Sequence, residues 1–312
     1  MLAALAGGVG AARFLCGLVG VVDPASVTAI VNTGDDDEFH GLWVCPDLDS
    51  VTYALAGANN PETGWGLAGE SFHTIDALDR YGAPTWFRLG DRDLATHLYR
   101  SERRRAGAPL GTISQEIAAA WGVSTRILPM SDDRVATRIT VRGPDGSPTE
   151  LAMQEWFVRE RSEPEVLGVR FAGADAAAPA PGVLDAIADA DTILVCPSNP
   201  VISIGPILAV PGVRDTLVAR RDRVIGVSPI IAGKPVKGPA DRLMGPMGID
   251  VSCVGVAREY RPFCSALVID TGDAARAGEI EAFGVRAVVA DTLMTNARVA
   301  AALARHTLAA VA

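Results

Sequence analysis

A chain of 312 residues in which acidic side chains outnumber basic ones 37 to 28 carries a net charge of −9. That balance disfavours nonspecific nucleic-acid binding, which depends on cationic side chains neutralising phosphates. With 49% hydrophobic and 21% charged residues, global disorder is excluded and a substantial packed core is expected.

In chain order, Leu2 to Ala6 reads as a short buried strand, Gly7-Gly8-Val9-Gly10 as a turn, Ala11 to Val19 as a helix and Val27 to Val31 as a second strand. Asp91 to Ala106 and Thr112 to Trp121 predict two helices, the first rich in arginine toward its end, where the helix dipole favours cations. Val135 to Val141, Glu150 to Val158 and Val166 to Phe171 carry β-branched residues. The Gly143-Pro144-Asp145-Gly146 turn predicts a hairpin between the first two. Ala172 to Pro181 reads as a linker. Beyond it, Thr192 to Cys196, Arg223 to Val227, Ala266 to Asp270 and Val285 to Ala290 predict strands; Gly182 to Ala190, Ala240 to Met247 and Asn296 to Leu308 predict helices.

Continuous apolar strands alternating with helices indicate a doubly wound, mostly parallel α/β sheet of Rossmann-like type. Residues 1–60 and 176–312 are expected to form this nucleotide-binding core, and residues 61–175 an inserted helical and β-hairpin lid. Cys16, Cys45, Cys196, Cys253 and Cys264 form no CxxC pair, so a reducing, cytoplasmic setting is expected. No apolar run reaches the roughly 18–20 residues of a membrane span, and no membrane partner is expected.

Four loops at predicted strand ends carry chemistry. The glycine turn Gly7 to Gly10 opens a helix and can present backbone N–H groups to a phosphate, but it lacks the third glycine of a dinucleotide fingerprint. Asn32-Thr33-Gly34-Asp35-Asp36-Asp37-Glu38 is followed closely by Asp47-Leu48-Asp49, whose carboxylates repel one another unless a cation joins them. An all-oxygen set of this kind favours a hard divalent ion, most simply Mg2+ on Asp35, Asp36, Asp47 and Asp49. Both lysines of the chain, Lys234 and Lys237, lie in one loop just after Ser228, which suggests a phosphate contact. Ser198 and Asn199 follow the Thr192 to Cys196 strand. Arg88, Arg92, Thr96 and His97 gather near a helix start.

Together these loops resemble the 2-phospho-L-lactate transferase family (CofD/FbiA-like) of coenzyme F-420 biosynthesis. The resemblance is carried by Gly7 to Arg13, Asn32 to Asp36, Cys45 to Asp49, Leu89 to His97, Gln154-Glu155-Trp156, Ser198-Asn199-Pro200 and Ser228 to Ile231, in family order along nearly the whole chain. Ala11 and Ala232 stand where the family often has glycine. The resemblance implies a Mg2+-dependent enzyme. It would join a phospho-C3-acid, phospholactyl or phosphoenolpyruvyl, from a guanosine-diphospho donor to the ribityl hydroxyl of the deazaflavin Fo, releasing GMP. Asp36 and Asp49 are then the expected catalytic carboxylates, with Fo near Asp49 and Arg88. The guanosine diphosphate would lie along Gly8, Gly10, Ser198, Asn199, Ser228, Lys234 and Lys237, and Asn32, Thr33, Gly34, Arg92, Thr96 and His97 would line the substrates. A homodimer through the predicted lid helices is compatible with this. The alternatives are a nucleotide-sugar-binding regulatory protein, which has no need of so many carboxylates, and a nicotinamide oxidoreductase, against which Asn32 stands where an acidic ribose ligand belongs.

Overall fold

In the computed structural model, which describes residues 1–311, the apolar segments form a seven-stranded sheet. Its strands are β1 (Leu2–Ala6), β2 (Val27–Val31), β3 (Arg126–Pro129), β4 (Thr192–Val195), β5 (Val224–Val227), β6 (Ala266–Asp270) and β7 (Arg286–Ala290). The spatial order is β7-β6-β5-β4-β1-β2-β3, and every pairing is parallel. Leu2 of β1 sits opposite Val27 on one side and Thr192 on the other. The chain therefore winds outward from β1 in both directions, and the order reverses between β1 and β4. In such sheets the crevice for ligands opens at that reversal, outside the carboxyl ends of the strands.

Strand β1 shows why both faces are covered. Ala3 and Leu5 join one buried cluster while Ala4 and Ala6 join the other, as the two-residue period of a strand demands. The second face is closed by α1 (Gly8–Val19), α2 (Pro46–Leu55), α4 (Leu110–Ala120) and α5 (Ala297–Ala309), through Leu15, Leu48, Leu110 and Leu303. A further helix, α3 (Leu94–Arg105), packs against α4. The first face is closed by the helices around Ile187, Leu217 and Tyr260 and by a three-stranded antiparallel sheet contributing Ile139, Val141 and Val166. That small sheet is ordered 148–152, 136–142, 166–172. Among the described residues no single helix is long and apolar enough to cross a membrane.

Three segments differ from the sequence reading. The strand expected over Glu150 to Val158 stops at Ala152, and the chain turns into a π-helix, Glu155–Arg159. Met153 and Trp156 are both buried, three residues apart, which a helical turn satisfies and a strand does not; Trp156 Nε1 donates to Pro164 O at 3.1 Å. Ala172 to Pro181 is no loose linker, since Ala174, Ala177 and Ala180 insert into the core. Asp47 and Asp49, expected in an acidic loop, lie in the first turn of α2, with Pro46 at its first position. The stretch 61–175 supplies the edge strand β3 as well as α3, α4 and the antiparallel sheet.

Helix α1 crosses α5 so closely that a Cβ on Gly17 would lie 2.4 Å from the Ala300 backbone carbonyl carbon. Gly17→Val is expected to overpack this crossing at a cost of about 2–3 kcal/mol, lowering the melting temperature by roughly 5 °C or more. An unchanged thermal melt would show that the two helices have slack.

Candidate functional site

The carboxyl ends of β1, β2 and β4 bring three loops into direct contact. A Cβ on Gly7 would lie 2.9 Å from Asp47 Oδ2 and 2.7 Å from Ser203 Cβ, and one on Gly10 would lie 2.2 Å from the Pro197 carbonyl oxygen. Only glycine lets α1 start this near its neighbours, and Gly8 also adopts a left-handed φ of +71°. Asn32 ties the loops together. Its Nδ2 donates to Asp47 Oδ2 at 2.9 Å and to Ile202 O at 3.3 Å, while its Oδ1 accepts from Gly34 N at 2.8 Å. The antiparallel sheet reaches the same place: Thr137 N donates to Gly34 O at 2.7 Å, and Gln154 Nε2 to Asp35 O at 3.5 Å.

Asp35, Asp36, Asp47 and Asp49 are each 5–6% exposed. Residues 47 and 49 sit two apart on α2 and so face different neighbours, Asp47 toward the glycine turn and Asn32, Asp49 toward α3. Both lie in the first helical turn, where the dipole favours anions. On α3, Asp93 at its N-terminal edge, His97 and Arg100 share one face by their spacing of four and three residues. Arg100 grips Asp49 with both terminal nitrogens, Nη2 on Oδ1 and Nη1 3.1 Å from Oδ2. His97 lies between, with Nδ1 3.7 Å from Asp49 Oδ2 and Nε2 3.3 Å from Asp93 Oδ2, the latter without the angle of a hydrogen bond. Tyr53 OH donates to Asp93 Oδ1 at 2.5 Å and contacts Thr96 Oγ1 at 2.8 Å.

Several buried polar atoms at this rim have no hydrogen-bond partner: Thr33 Oγ1, Asp35 Oδ1, both oxygens of Asp36, Thr137 Oγ1 and Ser198 Oγ. Buried groups are ordinarily satisfied, so unmet acceptors in one place mark where something else binds. Burial pushes Asp36 well above the usual carboxylate range, with the Cys45 thiol and then Arg100 pulling it partly back. Asp35 is raised by burial and by its neighbours Asp47 and Asp36. For Asp47, burial outweighs the Asn32 and Gly8 hydrogen bonds and raises it to about 6. Asp49 is raised by burial against the pull of Arg100. Such carboxylates fit a hard divalent cation, which would both satisfy their oxygens and cancel their repulsion. Asp49, Asp93 and His97 also present ligand atoms within 4.8 Å of one another, a second set, with Asp93 part-exposed, that could hold an ion.

Other sequence-selected residues have local partners. Asn199 accepts from Val201 N and Ile202 N, capping the π-helix Pro200–Ile204. Ser228 bonds within its own turn to Ile230. Arg88 pairs with Asp76 at 2.6 Å, 4.7 Å above the Phe72 ring, and Arg92 donates to Ala68 O at 2.5 Å. Lys237 reaches the rim: its Nζ donates to Thr63 O at 2.5 Å, and the same loop packs against Val9 through Gly64. Lys234 is exposed, paired by its backbone with Ile231, in a loop where Ala232 takes a positive φ of 49°. A groove of about 420 Å³ opens beside the cluster, lined by Trp65, Leu67, Phe72, Arg88 and Asp93 among others. Arg100 and Tyr53 were not selected from the sequence. The spacing of Asp93, His97 and Arg100 along one helix face was the available signal for Arg100.

Residues 2–305 match the family described as 2-phospho-L-lactate transferase CofD. Proteins named phosphoenolpyruvate transferase are similar along their whole length: that of Streptomyces griseus is 45% identical over 97% of this chain and 96% of its own, and that of Nocardia farcinica 43% identical over 97% and 92%. A crystal structure of a UPF0052 family member from Bacillus halodurans superposes with a TM-score of 0.62 over 98% of both chains at 17% identity, a likeness of fold.

Because the folded protein binds a proton at Asp47 more tightly than the unfolded chain, this group stabilises below about pH 4 and loses that contribution as pH rises through about 6. In chelator, Asp47→Asn is expected to match the parent near pH 3.5 and to exceed it by on the order of 2–3 kcal/mol at pH 7.5. Urea melts across that range check it; a difference independent of pH contradicts the assignment.

Proposed function

Because the chain belongs to the CofD family of 2-phospho-L-lactate transferases, we propose that it is a transferase moving a phosphoenolpyruvyl group from a guanosine-diphospho donor to the terminal ribityl hydroxyl of the deazaflavin Fo, with release of GMP, in coenzyme F-420 biosynthesis. The choice of the enolpyruvyl acid follows the names of relatives 41–45% identical to this chain. The observation that carries the reading is the set of four buried aspartates, several oxygens of which lack partners, at the strand-order reversal beside a glycine turn.

In the reaction the hydroxyl oxygen of Fo bonds to the phosphorus that carries the acid, and the bond from that phosphorus to the bridging oxygen breaks, leaving GMP. Asp36 and Asp49, with Asp35 and Asp47 beside them, would hold Mg2+, which would supply neutralisation of phosphate charge. Asp36 takes the hydroxyl proton through the oxygen not turned to the ion; burial makes it more basic than a surface carboxylate. The amides of the Gly7 to Gly10 turn and the start of α1 receive the diphosphate, with Ser198 Oγ free to donate to it. Lys237 stands at the edge of this turn as a further cation. The groove lined by Trp65, Phe72 and Arg88 suits a flat deazaflavin ring, which an aromatic face and a guanidinium both stack against.

Incubating the protein with Fo, Mg2+ and the guanosine-diphospho-enolpyruvyl donor is expected to yield a phosphoenolpyruvyl-Fo mass and equimolar GMP. Asp36→Asn should lower kcat about 100-fold or more. A higher kcat/KM with the lactyl or glyceryl donor overturns the choice of acid; no product from any donor overturns the reaction.

A further inference from the structure

Arg100 is a cation that the fold buries beside four carboxylates. It is 1% exposed, holds both oxygens of Asp49, and has Nη1 3.3 Å from His97 Nδ1 and 3.4 Å from Trp43 O. Its charge is felt at Asp36 and Cys45 as well. It is fully buried and does not line the groove, so it is badly placed to touch a phosphate there. Its fork geometry suits it instead to fix one carboxylate.

Counted formally, the guanidinium leaves the four carboxylates three charges negative, and a divalent ion would leave them one negative. Four like charges at this burial are not tolerable together; protons or cations must neutralise part of them. We propose that Arg100 is a resident counter-ion and positioning residue: it neutralises Asp49 while no divalent cation is bound, and holds that carboxylate in the orientation in which the ion meets it. The inference rests on the metal-dependent reading above. It differs from a merely structural tie between α2 and α3, because a tie would matter equally with and without the ion.

The test uses the full chain as wild type, Arg100→Met, Arg100→Lys and the double variant Asp49→Asn/Arg100→Met. Each is melted in EDTA and in millimolar Mn2+, with Mn2+ binding read by calorimetry. In EDTA, Arg100→Met is expected to melt roughly 5–10 °C below wild type, since it strands a buried charge. Mn2+ should restore more than half of that loss while raising wild type less, and Arg100→Lys should fall between. The double variant, which loses charge and counter-ion together, should regain most of the loss in EDTA without metal. Equal losses in EDTA and in Mn2+, with Mn2+ seen to bind, overturn the proposal and leave the metal-dependent reading standing. Absence of Mn2+ binding in every variant overturns both. If Arg100→Met does not fold in EDTA, folding in Mn2+ or folding of the double variant supports the counter-ion role; failure of both variants in either buffer overturns it.

Discussion

Four aspartate side chains removed from water, in the loop after β2 and the first turn of α2, repel each other, and the arrangement of the rim follows from how that repulsion is contained. Two of them enter the first turn of α2, where the backbone dipole offsets part of their charge. One is hydrogen-bonded by Asn32 and one is gripped by Arg100. The other two keep oxygens without partners. A divalent ion bound among them would relieve the repulsion that Asn32, Arg100 and the helix dipole leave over. In that case metal binding and protein stability would be linked.

The sheet brings these charges together by topology alone. Because the strand order reverses between β1 and β4, the loops after β1, β2 and β4 meet without any long excursion. Glycines at positions 7 and 10 then allow van der Waals contact between loops nearly 190 residues apart in sequence. The antiparallel sheet and π-helix cover the acidic turn from the other side through Thr137 and Gln154.

Much of this was readable in the residues. Six of the seven sheet strands are short apolar runs bounded by turn residues, and their parallel arrangement followed from the helices between them; the acidic turn, the glycine turn and their convergence were legible for the same reason. What escaped has physical causes. Strand β3 is only four residues long and ends in Pro129, so it carries little periodicity. Helix α2 begins Pro46-Asp47-Leu48-Asp49; the apolar neighbours of the two aspartates signal their burial, but so short a charged start carries no helical period. The alanines of 172–181 look like linker by composition, yet small size is what lets them fill the core. Arg100 is hidden among the arginines that crowd the end of its helix, and only the tertiary pairing with Asp49 separates it from Arg103, Arg104 and Arg105.

Asp93 belongs to two places at once. It lines the groove, and it is in contact with His97, which in turn touches Asp49. Anything that settles in the groove and alters the hydration of Asp93 changes the electrical setting of Asp49 two contacts away. If an ion binds among the aspartates, thermodynamic reciprocity would make its affinity and the occupancy of the groove depend on each other.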